Sequence, residues 1–371
     1  MRTRTRLVLA LVGLTVFASA CVSNAPQDSL NPQGPYARKS YDLFVPVFWV
    51  ATAVFIVVEG LLIFFVFRYR RRKNQPAQMP PQIHGNTRLE IAWTILPALI
   101  LAGVAVPTVT TIFDLAREPQ GNVLEVNVLA HQWWWEFDYP NEGIVTANEL
   151  VIPTGRPVHI TLCAVGLGYE SKPAPSECQT GPPNGQVPAG VGDSVIHSFW
   201  VPELAGTQDV VPGQANTLVL QADHPGRYSG QCKEFCGLAH AYMKFAVVAR
   251  SPSDYAAWVR NQQADAVTPE PGSAAATGMD VFLNGQCIAC HAIQGVKDAS
   301  GNPLTANGGP NLTHFASREC FAGCWLHNAS VEDLSKWLAN PASVKQGSWM
   351  PNYNLTPDEI RSLVAYLQSL T

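Results

Sequence analysis

The segment Cys232-Lys-Glu-Phe-Cys236-Gly-Leu-Ala-His240-Ala-Tyr-Met243 brings together two thiols, an imidazole and a thioether. His197 stands upstream of it in Val195-Ile-His-Ser-Phe-Trp200. These side chains are soft ligands that suit copper. Two cysteines spaced in this way allow both sulfurs to bridge two metal ions, with one His for each ion, Met243 on one and a loop carbonyl such as that of Glu234 on the other. The segment therefore predicts a dinuclear copper centre.

Two alternatives compete with this interpretation. A bare Cys-x-x-x-Cys in a secreted domain favours a Cys232–Cys236 disulfide, with His240 and Met243 packed in the core. The fixed offsets of His240 and Met243, together with His197 behind a strand, favour copper over the disulfide. Zinc is the second competitor, and the thioether of Met243 argues against it.

Short runs that alternate apolar and polar residues surround the copper segment, among them Val123 to Leu129 and Lys244 to Val248. This period, with Gly, Pro and Asn between the runs, predicts an antiparallel sandwich or barrel. The stretch between Cys163 and Asp193 is rich in Gly, Pro and Ser and has no period. This composition predicts a loop insertion, which a Cys163–Cys178 disulfide would cross-link.

Two apolar stretches lie upstream, Leu43 to Phe67 and Ile91 to Phe113, and each is long enough to cross a hydrocarbon core of about 30 Å. The short loop between them is basic, which places it on the cytoplasmic side. Everything after about residue 114 is then expected outside the cytoplasm, where disulfides form. The basic residues are Arg68, Arg70, Arg71, Arg72, Lys73 and Arg88.

Residues 1–20 begin with three arginines, continue through an apolar run and end in Ala18-Ser19-Ala20 before Cys21. This order predicts a secretory signal peptide. Small residues ahead of a cysteine also resemble a bacterial lipoprotein cleavage box, in which Cys21 becomes lipidated. Plain cleavage after Ala20 remains the alternative.

The C-terminal part contains Cys287-Ile-Ala-Cys290-His291, a pattern that predicts covalent haem c with a proximal imidazole. A Cys287–Cys290 disulfide is the alternative. Elimination among the five methionines leaves Met350 as the second axial ligand. His314 and His327 stay open as bis-His alternatives.

Two further features are predicted in the same domain. A helix is expected to follow Thr356, with Pro357 at its first position and Glu359 completing a capping box. Cys320 and Cys324 are expected to form a disulfide, and with this pair every cysteine has an assigned role. A second metal site at this pair is the alternative, although the sequence places no partners of the right type nearby.

The composition limits the classes of function. The formal charge is −4, which excludes an electrostatic nucleic-acid binder. Charged residues make up 14% and hydrophobic residues 47%, a balance that indicates lipid contact. We expect a multidomain membrane protein in eight segments: signal peptide 1–20, extracytoplasmic segment 21–42, transmembrane helix 43–67, cytoplasmic loop 68–90, transmembrane helix 91–113, β domain 120–250, linker 251–276 and haem domain 277–371.

Several of these motifs together resemble subunit II of haem-copper cytochrome c oxidases, over about residues 40–250. The resemblance rests on the two apolar helices, Trp93-Thr-Ile-Leu-Pro97, Gln132-Trp-Trp-Trp135, His197-Ser-Phe-Trp-Val-Pro202 and the copper segment. It implies a two-helix transmembrane hairpin followed by an all-β cupredoxin-like sandwich. Beyond it, Gly309-Pro-Asn-Leu312 and Gly347-Ser-Trp-Met-Pro-Asn-Tyr353 resemble class I cytochromes c, which implies an all-α domain.

The family resemblance also implies roles for particular residues. Glu234 would use its side chain to reach a magnesium or manganese ion shared with subunit I. Glu90 would lie near the entrance of a proton pathway, and Trp133 would be the residue at which electrons enter from cytochrome c. The CuA ligands would be His197, Cys232, Cys236, His240, Met243 and the carbonyl of Glu234.

The predicted function is therefore that of an electron-transfer subunit of a terminal oxidase. Electrons would pass from a donor, such as a cytochrome bc complex or a soluble cytochrome c, through haem c and CuA to subunit I. Oxygen is reduced to water there and protons are pumped, with subunit III as a further partner. The chain would lie in the bacterial plasma membrane. A nitric oxide reductase fed by CuA, and a membrane-tethered electron carrier or copper-handling protein, are the alternatives.

Overall fold

The computed structural model of the chain describes residues 11, 13, 15, 25–70, 84–166 and 194–371. The signal peptide predicted over residues 1–20 lies almost wholly outside them, and so do Cys21 and Cys178. Most of the predicted cytoplasmic loop and of the loop insertion after Cys163 also lies outside the described residues.

Among the described residues, two helices are long and apolar enough to cross a membrane: α1, Pro35–Tyr69, and α2, Thr87–Leu115. Both start earlier than the apolar stretches do. Pro35 opens α1 because a proline fits the first helical turn. Asn86 caps α2, since its side-chain oxygen accepts from the backbone N–H of the residues two and three positions on.

The β domain contains ten strands: β1 Leu124–His131, β2 Trp134–Tyr139, β3 Ile144–Ala147, β4 Glu149–Pro153, β5 Val158–Ala164, β6 His197–Trp200, β7 Thr207–Val210, β8 Asn216–Leu220, β9 Gly226–Cys232 and β10 Lys244–Arg250. They form a sandwich of two five-stranded sheets, with strand orders β3-β2-β1-β5-β8 and β4-β10-β9-β6-β7. Most neighbours pair antiparallel, but β1 pairs with β5 and β4 with β10 in parallel. Parallel partners need a long connection, and the β2–β4 stretch provides one between β1 and β5.

The core of the sandwich lies between the two sheets, as the period-two pattern predicts. Alternate residues of β1, beginning with Leu124 and Val126, are buried. From the facing sheet, Phe199 and Phe245 stack with ring centroids 4.4 Å apart. Trp135 packs its indole on both phenylalanines. Trp135 also packs edge-on against the ring of His197, so the aromatic cluster supports the first residue of β6.

The segment predicted as linker 251–276 is only partly a linker. It contains helix α3, Pro252–Gln262, whose Tyr255 and Trp258 are buried in the sandwich core. Ser251 caps this helix by accepting from the backbone N–H of Asp254. Two aromatic side chains on one helical face bury enough apolar area to hold α3 on the sandwich. The Pro-rich residues that follow α3 led the whole segment to be predicted as a linker.

The C-terminal domain is mainly helical, with two short two-stranded hairpins. Helix α4, Ala274–Asn284, packs against helix α7, Pro357–Ser369, and Phe282 meets Tyr366 edge to face. The predicted capping box is confirmed, because the side chains of Thr356 and Glu359 accept from each other's backbone N–H. The elements are α4 Ala274–Asn284, β11 Ile293–Lys297, β12 Pro303–Leu304, β13 Cys320–Phe321, β14 Leu326–His327, α5 Val331–Ala339, α6 Pro341–Val344 and α7 Pro357–Ser369.

Candidate copper and haem sites

Adjacent strand ends bring the predicted copper ligands together. His197 begins β6, Cys232 ends β9, and Met243 directly precedes β10. Residues 232–243, hereafter the copper loop, connect β9 to β10, and His240 lies in a single 3₁₀ turn within this loop. The loop is anchored at its base, since the backbone N–H of Cys232 donates to the carbonyl of Met243 over 2.9 Å.

The ligand atoms lie close to one another. The sulfurs of Cys232 and Cys236 are 3.8 Å apart. His197 Nδ1 lies 3.8 Å from Cys232 Sγ, and His240 Nδ1 lies 3.6 Å from Cys236 Sγ. Met243 Sδ is 3.8 Å from Cys236 Sγ. Each sulfur therefore has its own imidazole, as the sequence pattern predicts for a two-metal centre.

The donor set fits a pair of copper ions. A disulfide needs sulfurs about 2.0 Å apart, so Cys232 and Cys236 are free thiols in the structure. Hydrogen bonding to Cys236 and to His197 lowers the pKa of Cys232 well below its usual range, although burial opposes it. The pKa of Cys236 is raised because it then shares its proton with a neighbouring thiolate. The backbone oxygen of Glu234 lies 3.2 Å from Cys232 Sγ. This oxygen is a hard donor atom beside the softer sulfur and imidazole donors.

Two side chains of the turn between β1 and β2 hold the copper loop from outside. The amide nitrogen of Gln132 donates to the carbonyl of Cys236 over 2.8 Å, and the indole nitrogen of Trp133 donates to the same oxygen over 2.9 Å. A carbonyl has two lone pairs, so one oxygen accepts both bonds. The Gln-Trp pair thus fixes the backbone at a predicted bridging cysteine.

The haem motif lies at a 3₁₀ turn, Cys287–Ala289, on the wall of a cavity that Met350 also lines. His291 Nδ1 donates to the carbonyl of Pro310 over 2.8 Å. Because a carbonyl only accepts, Nδ1 carries the proton and Nε2 keeps its lone pair for a metal. The rest of the wall is mostly apolar and includes Phe282, Leu312, Leu334, Trp337, Leu363 and Leu367. Thiols, imidazole, thioether and apolar wall together fit haem c.

The bis-His alternatives do not reach this cavity. His314 is buried with both ring nitrogens against carbonyl oxygens, those of Thr371 and Ala264. His327 is exposed on β14, and neither histidine lines the cavity wall. Met350 does line it, which favours the thioether as the second axial ligand.

Other predicted residues lie apart from the two sites. Glu90 is exposed in the first turn of α2, and the carboxylate of Glu234 belongs to an exposed side chain on the copper loop. Cys163 is buried on β5, and its predicted partner lies outside the described residues. Cys320 and Cys324 are joined by a disulfide in the structure, beside the carboxylate of Glu149.

Sequence reasoning missed two residues that meet Trp133. The ring of Trp349 stacks on that of Trp133, with centroids 6.1 Å apart and planes 15° apart. The amine of Lys345 donates to the carbonyl of Trp133 over 2.5 Å and to that of Ala322 over 3.1 Å. Burial lowers the pKa of Lys345 to about 7, and both the neutral and the charged amine donate to carbonyls. No sequence signal linked either residue to Trp133, because each contact joins segments about two hundred residues apart.

Three family models match separate parts of the chain. The model of the cytochrome c oxidase subunit II transmembrane domain matches residues 27–111, and that of the subunit's periplasmic domain matches residues 186–250. The cytochrome c model matches residues 275–371. One solved structure, the periplasmic domain of cytochrome oxidase subunit II from Bradyrhizobium japonicum, is 22% identical and covers 39% of this chain and 96% of its own, with a TM-score of 0.30.

Curated relatives match along the whole chain. Cytochrome c oxidase subunit 2 of Alkalihalophilus pseudofirmus is 36% identical over 98% of this chain and 96% of its own. The corresponding subunit of Bacillus sp. strain PS3 is 33% identical over 98% and 97%. Quinol oxidase subunit 2 of Bacillus cereus is 34% identical, over 63% of this chain and 72% of its own. The chain therefore belongs to the cytochrome c oxidase subunit II family and carries a cytochrome c domain at its C-terminal end.

Proposed function

We propose that this chain delivers electrons from a donor, through covalent haem c and dinuclear CuA, to subunit I of the oxidase. Oxygen is reduced to water in subunit I, and the reduction is coupled to proton pumping. Membership in the family already makes the chain a subunit of a haem-copper oxidase. The observation that carries the finer proposal is the pairing of each free thiol of the copper loop with its own imidazole.

The family's domains imply copper and haem c, which supply the two redox centres when bound. Cys232 and Cys236 would supply two thiolates to the copper ions. Cys287 and Cys290 would attach haem covalently through thioether bonds, and His291 and Met350 would supply the ligands to its iron. His197, His240, Met243 and the carbonyl of Glu234 complete the copper ligands.

The chain's own residues fix the positions of the proposed copper ligands and bury most of them. His197 and Met243 are fully buried, and the thiols of Cys232 and Cys236 are nearly so. Strand hydrogen bonds fix both ends of the copper loop, and Gln132 and Trp133 fix its middle. A rigid ligand frame keeps the geometric change between two oxidation states small, which favours fast electron transfer.

The proposed function also includes a membrane topology and a set of partners for this chain. Helices α1 and α2 cross the bacterial plasma membrane, with the basic loop inside and both redox domains outside, after removal of a signal peptide and lipidation of Cys21. The exposed Glu234 carboxylate meets a magnesium or manganese ion shared with subunit I. Glu90 lies at the entrance of a proton pathway, and subunit III completes the enzyme. The donor is a cytochrome bc complex or a soluble cytochrome c.

The resemblance to quinol oxidase subunits defines a second candidate, because those relatives match this chain over 238 residues. The full-length matches instead bear the name cytochrome c oxidase and extend across the cytochrome c domain. The presence of Cys232, Cys236 and the Cys287 motif in one chain favours a cytochrome-type donor route over a quinol route.

The test is to purify the chain with its partners from membranes in mild detergent and to record the dithionite-reduced spectrum beside oxygen uptake. Haem a and haem c absorption with oxygen consumed is the expected result. Cys232→Ser should abolish the two-copper signal and leave haem c absorption intact. Haem c without a partner would instead indicate a free carrier, and haem b without haem a would indicate another reductase.

A further inference from the structure

Trp133 lies beneath the cytochrome c domain. Its side chain is only 6% exposed. One edge of the indole faces the copper loop, where its nitrogen donates to the Cys236 carbonyl. Gly237 has φ +116°, and a Cβ added there would lie 2.9 Å from Trp133 Cζ2. Only glycine therefore allows the copper loop to approach the ring so closely.

A loop of the cytochrome c domain, residues 345–350, covers the other side of Trp133. Trp349 lies parallel to Trp133 within 15°, in the range of offset stacking. Gly347 has φ +89°, and a Cβ added there would lie 3.4 Å from Trp133 Cζ3 and 2.8 Å from the Cβ of Leu238. The 345–350 loop and the copper loop thus fit together around one indole.

This contact also reaches the haem cavity. Trp349 is followed directly by Met350, and both residues line the cavity wall together with His291 and with Trp133 itself. A continuous series of neighbours therefore runs from the haem cavity through Trp349 and Trp133 to the backbone of Cys236.

Polar contacts hold the two domains in this position. Lys345 is 4% exposed and bonds to one carbonyl of each domain, those of Trp133 and Ala322. At the edge of the interface, the buried carboxylate of Glu149 accepts from the backbone N–H groups of Glu319 and Cys320 over 3.0 and 3.1 Å, and from Arg227 over 3.0 Å. A buried carboxylate with three donors is a specific contact, since losing its partners would leave a desolvated charge.

We propose that Trp349 and Trp133 form the electron-transfer contact between the two redox domains of this chain. Trp349 lies on the wall of the haem cavity, and Trp133 contacts the copper loop. Lys345 is a positioning residue that holds the Trp133 ring against the Trp349 ring. This inference rests on the proposed function, because it requires haem c and CuA at the assigned sites. One electron leaves the haem, passes by tunnelling across the stacked rings, and reduces the copper pair, with no bond made or broken.

The test uses the complete oxidase and a laser flash with a ruthenium bipyridine photoreductant, followed by haem c absorbance and the near-infrared absorption of the copper pair. Trp349→Leu should slow the transfer from haem c to copper by about tenfold, equivalent to about 1.4 kcal/mol in the barrier. Trp349→Phe should recover part of the rate, because a smaller aromatic ring keeps part of the stack. Trp349 is 54% exposed, so neither change empties the core.

Trp325 supplies the matched control. It is 41% exposed at the same interface, where it packs edge-on against Tyr242 and lies under Lys244, away from Trp133. Trp325→Leu should leave the rate unchanged, and the spectra and midpoint potentials of both centres should match those of the unmodified enzyme in every variant.

Two results would overturn the inference while leaving the proposed function intact. The first is an unchanged rate in Trp349→Leu with normal spectra. The second is an equal slowing in Trp325→Leu, since the effect would then come from general docking. Absence of the two-copper signal or of haem c in the unmodified enzyme would instead overturn the proposed function, and the inference with it.

Discussion

The copper site and the haem site are built by opposite means. The proposed copper ligands lie at or near the ends of β6, β9 and β10, where ladder hydrogen bonds fix the backbone. The proposed haem ligands lie on turns and loops, around a cavity whose apolar walls come from several helices. The sandwich has its own core between two sheets, whereas much of the apolar surface of the cytochrome c domain faces the cavity.

This difference indicates how each domain depends on its cofactor. A rigid sandwich presents copper ligands before any metal arrives, so metal loss should leave it folded. The cytochrome c domain needs a large apolar group to cover its cavity walls, since exposed apolar surface costs about 25 cal/mol per Å². Haem attachment and folding are therefore expected to be coupled in this domain.

Preventing haem attachment should separate the behaviour of the two domains most strongly. Cys287→Ser combined with Cys290→Ser should unfold the cytochrome c domain while the sandwich stays folded. Hydrogen exchange of α7 amides should rise to the rate of an unfolded chain, and β9 and β10 should keep their protection. The paired change Cys320→Ser and Cys324→Ser removes two other cysteines of the same domain and should retain haem absorption. A haem-free domain that keeps α7 protected would show that the comparison is wrong.

A smaller effect is expected at the second axial position. Met350→Ala should leave haem attached but alter its ligation, because the thioether at the cavity wall is lost. The reduced spectrum should change and the midpoint potential should fall, since a Met ligand raises it. Met279→Ala is the matched control, because Met279 packs on the same core and does not line the cavity. An unaltered spectrum in Met350→Ala would remove Met350 as the ligand.

The smallest effect is expected at the contact between the two regions. Lys345→Met should destabilise the docked arrangement by about 1–3 kcal/mol, because two carbonyls lose their buried donor. Hydrogen exchange at β13 and β14 should accelerate while the centre of each domain stays protected. The exposed Lys297 provides the control variant Lys297→Met. Equal exchange in both variants would mean that Lys345 does not hold the domains together.

Local patterns predicted most of the architecture. The apolar stretches indicate α1 and α2, alternation indicates the strands, and Thr356 with Glu359 marks the start of α7. The copper and haem motifs place their candidate ligands within short segments, so spacing alone brings them near one another. His197 is the exception, and only its position behind a strand linked it to the copper loop.

Contacts between distant segments could not be predicted in this way. Lys345 resembles any loop lysine until Trp133 and Ala322 are seen to share its amine. Glu149 resembles any strand carboxylate until the backbone of Glu319 and Cys320 meets it. The parallel pairing of β1 with β5 likewise depends on how the intervening strands cross between sheets, which a period-two pattern does not encode.

The covered position of Trp133 has a consequence for reaction order. An outside donor has no open face of this indole on which to dock, because Trp349 and Gly347 already lie against it. Along the proposed route, the step into the copper loop is therefore unimolecular, and neither donor concentration nor salt should change its rate. Collision, steering and salt dependence belong to the earlier step at the haem, where charges on two separate proteins meet through water.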